Sequence, residues 1–277
     1  MMPATLFLVA TPIGNLEDVT FRALRTLREV AVIAAEDTRR TGNLLRHYEI
    51  GTPILSLHEH NERDRTPALI GRLQAGDAVA LVSDAGTPLI SDPGFLLVRE
   101  AIAAGIRVEA IPGPSALTAA LAVSGLPVDE FTFLGFPPAR AGPRAAWLDS
   151  RAGRPGTLVL FEAPHRVHAT LTDIHAHFGN RFVVVARELT KVHETITRGW
   201  VSDLLTQTIE ERGEYVILVS DRIRATVTAQ PEVTDEKLRV EFGSMTESGA
   251  MSARDAVAEL AHRHNISRQR VYKATRP

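Results

Sequence analysis

The stretch AVALVSDAGTPLISDPG, residues 78–94, constrains the fold of this 277-residue chain more than any other. Ala78 to Val82 is an unbroken apolar run, followed at once by the turns Asp84-Ala85-Gly86 and Asp92-Pro93-Gly94. An apolar run bounded by turn signals reads as a buried strand, and a continuously apolar strand belongs to a parallel sheet covered on both faces. In open α/β sheets, ligands lie beyond the carboxyl ends of the strands. The loop after Val82 is therefore a candidate site. It carries Asp84 and Asp92 but no Lys or Arg. Phosphate cradles use backbone N–H groups with a Lys or a helix N-terminus, so this loop points away from polyphosphates and toward a ligand with hydroxyls or positive charge. Asp92 before Pro93 also reads as an N-cap for the helical pattern from Phe95 to Ala104.

The flanking sequence repeats the theme. Leu6–Ala10 runs into Thr11-Pro12-Ile13-Gly14-Asn15, Val30–Ala35 into Glu36-Asp37-Thr38-Arg39, Pro53–Leu57 into His58-Glu59-His60-Asn61-Glu62, and Arg107–Ile111 into Pro112-Gly113-Pro114-Ser115. Helical spacing covers Asp18–Glu29, Asn43–Tyr48 and Thr66–Gln74 between them. Strands alternating with helices predict a doubly wound parallel sheet, an N-terminal α/β domain over 1–117. Strand patterns at 131–136, 156–161, 181–186 and 214–220, with helices at 144–150, 166–178 and 201–212, predict a second α/β domain over 118–222. The extra short strand at 194–198 favours a mixed sheet there. Residues 223–250 read as a linker. Residues 251–277 read as a basic helix-turn-helix-like tail, with helices at 252–264 and 267–274.

Composition narrows the function classes. A formal charge of -2 gives no basic surface to the whole chain, so any contact with nucleic acid must be local. The absence of Cys removes disulfides and thiolate metal sites and fits a cytoplasmic setting. No cluster of His and carboxylates shows metal-ligand spacing, so no metal is expected. No segment is long and apolar enough to cross a bilayer.

The strand-end motifs, with Phe161-Glu-Ala-Pro-His-Arg166, Arg187-Glu-Leu-Thr-Lys191 and Gly213-Glu-Tyr-Val216, resemble those of the tetrapyrrole methylase superfamily. Within it they resemble the branch that 2'-O-methylates cytidine 1402 of 16S ribosomal RNA. The resemblance implies two α/β domains with an S-adenosylmethionine cleft between them, a helical C-terminal tail, a homodimer, and a substrate in the small ribosomal subunit. By motif position it implies cofactor contacts at Pro12, Asp84, Gly86, Thr87, Ser115, Ala116 and Ala163. The acidic loop suits this cofactor, which carries a sulfonium and an ammonium and has no phosphate.

A ribose hydroxyl is a weak nucleophile and needs a base or preorganised positioning. Glu188 with Lys191 is the preferred candidate for direct participation, and His165 is a second; Glu162 lies in the same motif as His165. RNA phosphates are expected on Arg39, Arg40, Arg166, Arg268, Arg270 and Lys273. Two other readings stand beside this one. The first is a methyltransferase of the same fold acting on a tetrapyrrole or another small molecule. The second is a ligand-sensing regulator that binds nucleic acid through the tail.

Overall fold

The computed structural model describes residues 4–223, 234–247, 251–264 and 267–275. They fall into two compact units, Met1–Arg224 and Ala225–Pro277.

In the first unit, β1 (Thr5–Val9), α1 (Phe21–Glu29), β2 (Val32–Ala35), α2 (Thr38–His47), β3 (Ile54–Ser56), α3 (Glu62–Gln74), β4 (Val79–Val82), α4 (Phe95–Ala103) and β5 (Arg107–Ile111) follow one another. The strands pair in the order β3-β2-β4-β1-β5, every pair parallel. Successive side chains of a strand point to opposite faces, and here both faces are apolar. Leu6, Val32, Val79 and Leu81 pack against Leu69 and Leu73 of α3 and Leu97 and Ala101 of α4. Phe7, Ile33, Ala80 and Val82 pack against Leu24 and Leu27 of α1 and Leu45 of α2. Each large side chain so buried contributes roughly 1.5–3 kcal/mol. The expected doubly wound sheet is the consequence.

Several helix starts, and the cap of α4, differ from expectation: α1 begins at Phe21 rather than Asp18, and α3 at Glu62 rather than Thr66. α2 begins at Thr38 rather than Asn43, because Asp37 caps it and accepts the Arg39 N–H at 2.8 Å. Asp92 does not cap α4. Gly94 occupies that position, and the N–H groups of Leu96 and Leu97 donate to Glu62 Oε1 at 2.7 and 3.3 Å. A carboxylate delivered by α3 does the capping, which leaves Asp92 free of that duty.

The chain passes to a second sheet through α5 (Ala116–Ser124). Then come β6 (Phe131–Phe133), α6 (Ala141–Asp149), β7 (Thr157–Glu162), α7 (Val167–Phe178), β8 (Arg181–Arg187), β9 (Thr195–Trp200), α8 (Val201–Leu204) and β10 (Tyr215–Ile223). The order is β6-β7-β10-β8-β9; β6 and β7 run parallel and the other pairs antiparallel, so the sheet is mixed as expected. Its outer face buries Leu148, Val167, Leu171 and Ile174. The inner face takes Ala120 and Leu121 of α5 and Ile13 from the loop after β1, which ties the two sheets together. The helix expected over 201–212 is a correction: α8 stops at Leu204. The β-branched Thr206 and Thr208 are poor helix residues, and the Glu210 carbonyl accepts the Tyr215 hydroxyl at 2.5 Å instead.

The second unit holds α9 (Asp235–Glu247), α10 (Ala253–Arg263) and α11 (Arg268–Thr275). Leu238, Val257, Leu260 and Val271 are buried among them, with Phe242 and Met245 half-buried. The linker reading of 223–250 needs correcting over α9, where Leu238, Phe242 and Met245 repeat at helical spacing and cover one face. Residues 224–233 and 248–250 of that stretch lie outside the described residues. No helix among the described residues is long and apolar enough to cross a membrane.

Candidate active site

The carboxyl ends of β1 and β4 lie side by side, joined by a two-bond bridge between Thr11 and Gly86, each N–H donating to the other's carbonyl at 2.9 Å. From here the chain leaves β1 toward β2 and leaves β4 toward β5, on opposite sides. This is the topological switch point at which open α/β sheets bind ligands. A cleft of about 410 Å³ opens there. The first half lines it with Ile13, Glu36, Arg40, the 84–92 loop, Ser115 and Ala116; the second half adds Phe136, Phe161, Glu162, Leu189 and residues 213–216.

The wall from the first sheet is acidic. Asp84 Oδ1 accepts the Asp37 N–H at 2.9 Å, its own N–H approaches Glu36 Oε2 at 3.4 Å, and Arg40 stands 3.5 Å from its other oxygen. Burial pushes the Glu36 carboxyl up; the Asp84 N–H opposes this, while the charge of Asp84 adds to it. Burial pushes Asp92 up to about 6, partly offset by the Ser83 hydroxyl and reinforced by Glu36 and Asp84. Asp37 behaves oppositely, because the Arg39 side chain and N–H hold its carboxyl well below the usual range.

The facing wall contains carboxylates that each hold a cation and a backbone N–H. Glu162 is 2% exposed; it accepts the Thr170 hydroxyl at 2.6 Å and the Ala163 N–H at 2.7 Å, and pairs with Arg166 at 2.6 Å. Glu188 Oε1 accepts Lys191 Nζ at 2.8 Å and the Glu214 N–H at 2.9 Å. Burial pushes the Glu188 carboxyl up, but these two hydrogen bonds together with the charges of Lys191 and Arg187 outweigh it, and the group sits below its ordinary value. Burial likewise pulls Lys191 down, and Glu188 and Glu214 more than restore it. Gly213, at φ 93°, leaves space for Glu188: a Cβ there would lie 2.6 Å from Glu188 Cγ.

Of the residues expected to hold a cofactor, Asp84, Gly86, Thr87, Ser115 and Ala116 line the cleft. Ser115 stands at the N-cap of α5, yet its side chain makes no capping bond, so its hydroxyl is available. Pro12 lines a smaller neighbouring hollow with Arg40, Ser83 and Asp84. Ala163 lies between two lining residues, Glu162 and Pro164.

The expected catalytic residues are placed differently. Glu188 and Lys191 flank the cleft, locked to one another, and His165 is exposed. Arg39 and Arg40 stand at the start of α2; Arg39 is 88% exposed, though bonded to Asp37. Arg166 turns inward onto Glu162 and presents no open guanidinium. In the second unit Arg268 and Lys273 are exposed, while Arg270 is paired with Asp235. Glu36, Phe136 and Phe161 are not among the expected site residues, and Asp92 is expected only as a carboxylate of the candidate loop or as a helix cap. A signal for the aromatic pair existed: Phe136 and Phe161 close the strand patterns 131–136 and 156–161, and because β6 and β7 run parallel, those ends open on the same side.

A doubly wound sheet joined to a mixed sheet around an acidic switch-point cleft is the architecture of the tetrapyrrole methylases, and residues 5–205 match the family model described as Tetrapyrrole (Corrin/Porphyrin) Methylases. The chain belongs to this family, as the strand-end motifs imply. It is 55% identical over 222 residues to the ribosomal RNA small subunit methyltransferase I of Xylella fastidiosa, covering 78% of this chain and 81% of that protein. With the protein of the same name from Synechocystis it shares 46% identity over 271 residues, 97% of this chain and 96% of the relative. The crystal structure of uroporphyrin-III-C-methyltransferase from Thermus thermophilus shares the fold, with a TM-score of 0.57 at 21% identity over 79% of this chain and 94% of that one.

Proposed function

We propose that this protein is an S-adenosylmethionine-dependent methyltransferase that modifies the ribose 2'-oxygen of a cytidine, position 1402, in 16S ribosomal RNA. The observation that carries the reading is the cleft itself, in a chain similar along nearly its whole length to proteins named ribosomal RNA small subunit methyltransferase I. Its volume of about 410 Å³ lies in the range that holds small-molecule ligands. Its donor set suits a cationic, phosphate-free ligand. Glu36 and Asp84 supply negative charge, and Arg40, a cation in the wall, is engaged by Asp84. When bound, S-adenosylmethionine supplies a methyl group carried on positively charged sulfur.

Asp84 and Glu36 would offset that charge, and the Ser115 hydroxyl and the 84–87 backbone would bond the polar groups of the cofactor. The start of β10 and Leu189 offer apolar cover. Arg39, Arg40, Arg268 and Lys273 would position RNA phosphates. The protein would act in the cytoplasm as a homodimer, with the small ribosomal subunit as its substrate.

The test is transfer of labelled methyl to small ribosomal subunits, free 16S RNA and a tetrapyrrole precursor, with the product nucleotide identified by mass. The expected result is 2'-O-methylcytidine in the subunit. Label confined to the tetrapyrrole would overturn the reading.

A further inference from the structure

The cleft has two ends of different chemistry. At one, a Cβ built on Gly86 would lie 3.4 Å from Ile13 and 4.0 Å from Ser115 Cα, so small groups and backbone crowd together. At the other, the Ser91 hydroxyl lies 3.6 Å from where a Cβ on Gly135 would stand, which brings the Ser91-Asp92 turn of the first half against the Gly135-Phe136 turn of the second. Asp92 and Phe136 thus bracket one corner of the cleft that both line.

Phe136 is 53% exposed, an unusual state for a ring in a cleft wall. The ring is supported from one side: Phe161 meets it in a T-shaped contact at 5.6 Å between centroids and 62°, and Phe133 meets Phe161 at 4.9 Å. A ring supported on one side, with about half its surface open to the cleft, is a platform for a flat ligand. Asp92 is half-buried beside it. The groups acting on its carboxylate are the Ser83 hydroxyl, Glu36 and Asp84, and no cation is among them. Arg40, the cation nearest this cluster, acts on Glu36 and pairs with Asp84.

Resting on the methyltransferase reading above, we propose that this corner is the acceptor-nucleoside subsite, where the base lies on Phe136 and the Asp92 carboxylate receives the proton of the ribose hydroxyl. In that step the ribose O–H bond gives way to an O–CH3 bond. The carbon–sulfur electron pair stays with the departing, now neutral, sulfur; the proton passes to Asp92 and from there to water. The alternatives in the facing wall are poorer acceptors: Glu188 is already bonded to Lys191 and the Glu214 N–H, and both oxygens of Glu162 are taken. Burial beside Glu36 and Asp84 brings Asp92 to about 6, close to a neutral working pH, where a general base is most effective.

The test is single-turnover methylation of small ribosomal subunits by the full chain between pH 5 and 8.5, with calorimetric binding of S-adenosylmethionine and thermal melting on each variant. Wild type is expected to show an acid limb near pH 6. Asp92→Asn is expected to lower the rate by about 10²–10⁴-fold and remove that limb, with cofactor affinity within about threefold of wild type. Phe136→Ala is expected to raise the subunit concentration for half-maximal rate by about tenfold or more, with Phe136→Tyr restoring it. The proposal is overturned if Asp92→Asn keeps the rate and the limb, if it abolishes cofactor binding instead, or if Phe136→Ala leaves half-saturation unchanged. A wild type that binds cofactor but methylates no ribosomal RNA would overturn the functional reading itself, and the subsite with it.

Discussion

The two walls of the cleft treat their carboxylates in opposite ways. On the first-sheet wall, Glu36 and Asp92 are taken out of water with little compensation, and both are pushed up. On the second-sheet wall, Glu162 and Glu188 each hold a cation and a backbone N–H. The difference follows from topology. Loops at the carboxyl ends of parallel strands diverge toward opposite faces and leave a gap. The antiparallel β8 and β10 bring their loops together, so the Glu188 N–H can donate to the Glu214 carbonyl at 2.9 Å. Backbone strain does not distinguish the walls, since Leu89 and Ser91 on one and Glu188 and Thr190 on the other all have positive φ. Pairing does. An unpaired buried carboxylate is available for chemistry, whereas a paired one holds the structure.

The sharpest way to break this comparison is to remove a paired carboxylate. Glu162→Ala strands the Arg166 guanidinium, whose side chain is only 19% exposed, and the hydroxyl of the buried Thr170. Removing one partner of a buried ion pair costs about 3–5 kcal/mol. Urea denaturation should show a loss of that size, and a variant as stable as wild type would mean that the second wall does not depend on its carboxylates.

A smaller effect is expected at Gly213. In Gly213→Ala the new methyl meets Glu188 Cγ at 2.6 Å and Oε1 at 2.7 Å, in a backbone conformation of φ 93° that side chains avoid. Strain of this kind costs about 1–3 kcal/mol. The melting temperature should fall, and the Glu188–Lys191 pair should loosen; unchanged melting would show that Glu188 is not pinned. Gly86→Ala, also at positive φ but with its nearest neighbour 3.4 Å away, isolates the backbone contribution.

Much of the architecture was legible because it rests on local signals. Continuous apolar runs marked β2 and β4 as strands covered on both faces, and the polar residues closing each run marked the ligand end of the first sheet. What was not legible depends on contacts distant in sequence. Asp92-Pro93 looks like a helix cap, but Glu62, 34 residues before Leu96, takes that role. Glu188 and Lys191 look like an acid–base pair; the same spacing forms an ion pair once the Glu214 N–H arrives from β10. Arg166 reads as a phosphate contact because sequence does not reveal that Glu162, one turn back, is buried beneath it. α9 escaped notice because its apolar face begins only at Leu238, beyond a patternless stretch.

The least costly test of the first wall concerns stability rather than rate. With its pKa raised from 3.8 to about 6, Asp92 holds its proton more tightly in the folded chain than in the unfolded one. The stability associated with that proton is therefore fully present below about pH 4 and is lost as pH rises through 6. Asn stays neutral throughout and loses nothing. Two pH units correspond to about 3 kcal/mol, and partial solvent access reduces this to about 1 kcal/mol. Asp92→Asn should thus be more stable than wild type by about 1 kcal/mol at pH 7–8, and the gain should fade toward pH 4. Together with the slower methyl transfer expected of the same variant, this would be a trade of stability for function at one carboxylate. If Asp92→Asn instead lost stability at pH 8, some partner would be holding the Asp92 carboxylate as Arg166 holds Glu162, and the two walls would be alike.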